Sequence, residues 1–224
     1  MEESKRLTIL VSSSVYEYED LLDMMYTVLT QFGYEVWMSH KGTIPVFSNR
    51  SAYENCIAAT EKCDLFLGLI TPRYGTGDDE TKKISITHQE LKKAIELKKP
   101  RWLLAHDHVV FTRLLLNHLG FKGKSGRDLG FKGKSGRKKL FLEKSPIMED
   151  LRVIDMYEEA ITPSQKPPQE RKGNWVQKFS SNDDATLFAV AQFSRYQEVE
   201  AFLEENFRDS ASIVRAIEER TDRS

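Results

Sequence analysis

Asp64-Leu65-Phe66-Leu67-Gly68-Leu69-Ile70 carries no polar side chain after its leading aspartate. A strand with one wet face alternates apolar and polar residues. An unbroken apolar run of this length instead reads as a strand covered on both faces, as in a parallel sheet. Upstream, Leu7-Thr-Ile-Leu-Val11 is a second short run, rich in β-branched residues, and Ser12-Ser13-Ser14 ends it. Between the two runs, residues 17–32 place Leu21, Leu22, Met25, Val28, Leu29 and Phe32 at helical spacing. Gly33 stands where a helix closes, and Tyr34-Glu-Val-Trp-Met38 reads as a strand. Residues 51–61 read as a helix. Downstream lie a loop over 71–85 with Pro72, Gly75 and Gly77, a helix over 87–97 stopped by Pro100, a strand over 102–105 and a helix over 110–119. Strand and helix alternating through short loops imply an α/β fold, a flavodoxin-type parallel sheet with helices on both faces.

That reading places one α/β domain over residues 1–117. A second part, 118–139, is a tandem duplication: His118-Leu-Gly-Phe-Lys-Gly-Lys-Ser-Gly-Arg127 is followed by Asp128-Leu-Gly-Phe-Lys-Gly-Lys-Ser-Gly-Arg137, identical at nine of ten positions. A phosphate-binding P-loop requires a glycine five residues before its Gly-Lys pair. His118 and Asp128 stand there, so the repeat reads as a basic surface loop. The third part, 140–224, is expected as a mostly helical extension packing on the first domain. It has helices over 150–161 and 196–207, a Pro-rich charged linker over 162–173 and a short strand over 175–179. Trp175, Phe179, Phe193, Tyr196 and Phe202 are expected to form a satellite core.

Bulk composition narrows the classes. Thirty-three basic against thirty-four acidic residues leave a formal charge of -1, which argues against nucleic acid and anionic membranes as partners. No apolar run approaches the ~20 residues that span a bilayer, and no export signal is visible. With two cysteines, Cys56 and Cys63, expected unpaired, this points to the cytoplasm. His106 and His108 flank Asp107, but no further ligand is near in sequence, so no metal and no cofactor are expected.

In an open α/β sheet, ligands bind beyond the carboxyl ends of the strands, where the strand order reverses. Two loops belong there. Ser12 and Ser13 offer hydroxyls and amides at a helix start, suited to phosphate or ribose. Arg73, Tyr74 and Gly75 offer a cation, a phenol and a pliable turn. Glu90, early in the next helix, can face the same cleft. A carboxylate there could hold ribose hydroxyls and stabilise an oxocarbenium-like transition state. The competing reading is structural. Thr87-x-x-Glu90, Ser14-x-x-Glu17 and Ser51-x-x-Glu54 all fit a capping box, in which the glutamate serves the helix start. His88 is expected to be solvated.

Val11-Ser-Ser-Ser14, Gly33-Tyr-Glu-Val-Trp37, Ser39-His-Lys-Gly-Thr43, Cys63-Asp-Leu-Phe-Leu-Gly68, Thr71-Pro-Arg-Tyr-Gly75 and Ser85-Ile-Thr-His-Gln-Glu-Leu91 resemble an uncharacterised family of bacterial TIR-like domains. That family is grouped with TIR domains and nucleoside deoxyribosyltransferases, and related domains precede NACHT modules. The resemblance implies a TIR-like N-glycosidase that cleaves NAD+ or a related nucleotide or nucleoside, with Glu90 catalytic, in bacterial defence or signalling. The alternative it leaves open is a non-catalytic module for self-association or protein interaction, working as a homo-oligomer.

Overall fold

The computed structural model describes residues 6–76, 84–121, 147–161 and 175–196. Five parallel strands form one sheet: β1 (Thr8–Ser12), β2 (Glu35–Trp37), β3 (Leu65–Ile70), β4 (Arg101–His106) and β5 (Val176–Phe179), in the order β2-β1-β3-β4-β5. The helices are α1 (Glu19–Gln31), α2 (Ala52–Lys62), α3 (Ile86–Glu96), α4 (Asp107–His118), α5 (Arg152–Ile161) and α6 (Asn182–Phe193). The α/β flavodoxin-like arrangement read from the alternation is therefore the one observed.

Strand geometry divides the core in two. Ile9 and Val11 of β1, Leu65, Leu67 and Leu69 of β3, and Leu104 of β4 face one side. There they pack with Leu21, Leu22, Met25 and Leu29 of α1 and with Ala185, Ala189 and Phe193 of α6. Leu10, Phe66, Ile70, Leu103 and Ala105 face the other side, against Ala59, Leu91, Ala94, Val109, Val153, Met156 and Ala160 of α2 to α5. Every residue of β1 and β3 is buried, which is why neither run alternates. Gly33 follows α1 at φ 90, the left-handed conformation that favours glycine after a helix.

Several local expectations change. The strand over 175–179 exists as β5 and pairs directly with β4, Leu103 opposite Val176 and His106 opposite Phe179. Phe179 and Phe193 consequently belong to the main core and not to a satellite, while Trp175 is exposed. Helix α6 lies in a stretch where no helix was expected. Its apolar residues give no clean amphipathic stripe, and Leu187 remains exposed. Gly77, most of the duplicated loop, the linker over 162–173 and the helices expected beyond residue 196 lie outside the described residues.

Candidate functional site

The reversal in strand order falls between β1 and β3, which pair from Ile9 with Leu65 to Ser12 with Gly68. Ser12 ends β1 and points to the same side as Leu10. There it meets α3: its hydroxyl donates a 2.5 Å hydrogen bond to Oε2 of Glu90. Glu90 is only 5% exposed. Burial is the dominant cause that raises its carboxyl to about 7, and the Ser12 hydroxyl and the Cys56 thiol beside it offset part of that. The same burial, followed by the field of Glu90, pushes the Cys56 thiol up to about 12. Cys56 is thus a neutral neighbour of the carboxyl and not a thiolate nucleophile.

Glu90 does not cap its helix. Ser85 is the N-cap of α3 and accepts from the His88 amide, which leaves Thr87 inside the first turn and Glu90 one turn in. The box at Ser14 and Glu17 is not formed either, because α1 starts at Glu19 after Tyr18. Only Ser51 and Glu54 make the reciprocal pair, with Ser51 N donating to Glu54 and Glu54 N donating to Ser51 Oγ. The structural reading that best competed with a chemical role for Glu90 therefore falls away.

The other site residues separate into different neighbourhoods. The Ser13 hydroxyl donates to the carbonyl of Ser14, and the Ser14 hydroxyl contacts Thr71 Oγ1 at 2.6 Å, which joins the β1 and β3 loops. Gly75 sits at φ 77, where a Cβ would lie 3.5 Å from that of Ser14. Arg73 is committed to Glu17: its Nε donates to Oε2 at 2.9 Å, and a second guanidinium nitrogen contacts Oε1. Glu17 holds φ 69, left-handed and unusual for a glutamate. This pair ties the two loops that border the reversal point.

Tyr74 is 3% exposed and meets α3 at a different residue from Ser12. Its hydroxyl meets His88 Nδ1 at 2.8 Å, and His88 Nε2 meets Glu159 of α5 at 3.1 Å. The Glu159 carboxylate only accepts, so Nε2 carries a proton, and in the neutral imidazole Nδ1 then accepts from the phenol. Arg152 lies over the Tyr74 ring at 4.5 Å. His88, expected in solvent, is instead buried. On α3 it stands two residues before Glu90, so the two side chains leave the helix in nearly opposite directions. The Tyr74–His88–Glu159 chain had no signal in the sequence, because its members lie in three separated segments with no shared spacing.

A cavity of about 510 Å³ opens at the opposite, amino-terminal edge of the sheet, bordered by Leu7, Cys63, Asp64, Lys98 and Lys99. Two of its polar groups are engaged: Lys99 Nζ donates to the carbonyls of Glu61 and Cys63, and Asp64 accepts from the Thr8 amide. Both cysteines are free thiols. Among the described residues no helix is long and apolar enough to cross a membrane.

No curated protein matches the chain. A match to a family model leaves out α5, β5 and α6, although β5 completes the sheet and α5 supplies Glu159. It runs from the first residue of β1 into the last turn of α4 and takes in Ser12, Ser13, Arg73, Tyr74, Gly75 and Glu90: residues 8–115 match the family model described as a domain of unknown function (DUF4062).

Proposed function

We propose that this protein is a TIR-like N-glycosidase acting on NAD+ or a related nucleotide or nucleoside, in a bacterial defence or signalling role. One observation carries the reading: a buried carboxyl, Glu90, stands at the strand-order reversal, held by Ser12 and not spent on capping. A carboxyl raised to about 7 is poised between its two forms near neutrality. Ionised, it stabilises positive charge at an anomeric carbon. Protonated, it hydrogen-bonds a departing base. Ser12 and Ser13 would seat phosphate or ribose, and the turn at Gly75 would border the nucleotide, while Arg73 and Tyr74, engaged with Glu17 and His88, would hold that turn in place. Glu90 is only 5% exposed, so a substrate reaches it only when the packing around it opens. The test is incubation of the pure protein with NAD+ and with nucleosides, Glu90→Gln alongside. Release of free base by the wild type alone supports the reading; no turnover at any protein concentration overturns it.

A second reading, a non-catalytic module for self-association or protein interaction, is favoured by a different feature. Phe111, Leu114, Leu115 and Leu119 are exposed on one face of α4 at spacings of three, four and eight residues. Sedimentation of the wild type against Phe111→Glu with Leu115→Glu tests it. A concentration-dependent oligomer lost in the variant supports it, and a monomer in both disposes of it.

A further inference from the structure

We propose that His106, Asp107 and His108, at the carboxyl end of β4, form a binding site for a divalent transition metal of the zinc class. One donor atom from each of the three residues lies within 4.8 Å of the others. His106 Nδ1 is 3.0 Å from Asp107 Oδ1, and His108 Nε2 is 3.9 Å from the same oxygen. Zinc binds imidazole nitrogen and carboxylate oxygen at about 2.0–2.2 Å, so two donors on one ion stand no more than about 4.3 Å apart. The three donors therefore need only a sub-ångström closing, and the half-exposed His108 ring is free to turn inward.

A second, independent feature points to a cation here. His106 Nδ1 accepts from the His108 amide at 3.2 Å, so that nitrogen presents a lone pair. Asp107 Oδ1 is shut off from solvent and has no hydrogen-bond partner. That oxygen lies 3.0 Å from His106 Nδ1 with no hydrogen bond between them. A metal ion bound by both atoms would partner the orphaned oxygen and take the lone pair that the His108 amide now holds.

The surroundings shape the site. The Tyr18 and Phe179 rings pack edge-on against His106 and hold its plane. Two imidazoles and one carboxylate leave coordination positions open, as in metal centres that take water or a substrate atom. The site lies on the α1 side of the sheet, since His106 shares strand parity with Leu104, whereas Ser12 and Glu90 lie on the α3 side. The amino-terminal dipole of α4 opposes a cation, and the bound state gives up the His108 amide contact, so the affinity is moderate.

Titration of the full chain with Zn2+ by calorimetry and with Co2+ by visible absorption tests this. The expected result is one ion per chain, with a Co2+ ligand-field band. His108→Ala and Asp107→Asn should each abolish that band and weaken Zn2+ binding by more than about a hundredfold, beyond the typical loss of a ligand's outer partner. His108→Ala removes an exposed ring with no part in capping, so its fold is retained. No binding by the wild type, or equal binding by the wild type and these variants, overturns the proposal.

Discussion

Ser12 Oγ donates to Glu90 Oε2 at 2.5 Å across 78 residues of sequence, which ties the end of β1 to the first turns of α3. The bond holds a protonatable group that is buried among the packed layers. Its pH consequence has a definite sign. The folded carboxyl sits at about 7, against an ordinary 4.5. Between those values the folded state binds more proton than the unfolded one, so stability falls as pH rises. The contribution is complete below about 4.5 and gone above about 7, with a slope of at most about 1.4 kcal/mol per pH unit. Glu90→Gln, which still accepts from Ser12, should flatten this part of the profile. Thermal melts of both proteins from pH 4.5 to 8 measure it, and parallel profiles would show that Glu90 does not titrate in this window.

Tyr74→Phe removes the donor to His88 Nδ1 and leaves a buried acceptor unpaired. A cost of about 1–3 kcal/mol is expected. Urea unfolding of this variant, and of Tyr74→Phe combined with His88→Phe, separates the causes. The double variant should recover part of the loss, because both polar partners are then gone.

Glu17 carries a backbone cost and an ion pair together. The left-handed conformation costs about 1–2 kcal/mol for a residue with a Cβ. Glycine gives back about 0.5–1 kcal/mol of that through its freer unfolded chain. Glu17→Gly should therefore be more stable than Glu17→Ala by about 0.5–1 kcal/mol in denaturant unfolding. Equal stabilities would mean that the loop relaxes once the side chain is gone.

Gly68 in the middle of β3 is set by packing. A Cβ there would meet Leu103 Cδ2 at 2.8 Å and Phe66 Cε1 at 3.0 Å. Gly68→Ala should cost about 1–3 kcal/mol by overpacking. Leu103→Val in the same chain should restore part of it, as read from the midpoint of unfolding.

Much of the architecture was readable in order along the chain. The apolar run over 65–70, the helical spacing of Leu21, Leu22, Met25 and Leu29, and the stop at Gly33 are local signals with local causes, and each appears where its period put it. Helix α6 escaped notice because its burial comes from landing against α1 and not from a stripe of its own. Ser12 and Glu90 were legible as candidates, since the reversal point follows from strand order. The roles of Arg73, Tyr74 and His88 were not, because each is decided by a partner far away in sequence.

The amino-acid sequence by itself determined the parallel α/β sheet and the loops that meet at its reversal point, because hydrophobic period and turn residues act over a few neighbours. Whether Glu90 caps a helix or stands as a buried acid was decided only in three dimensions. Ser85 starts α3 two residues before Thr87, the first residue of the expected box, so Glu90 falls one turn into the helix, where it meets Ser12 of β1. Burial, which raises the carboxyl, is likewise a property of the packed layers and of no single segment.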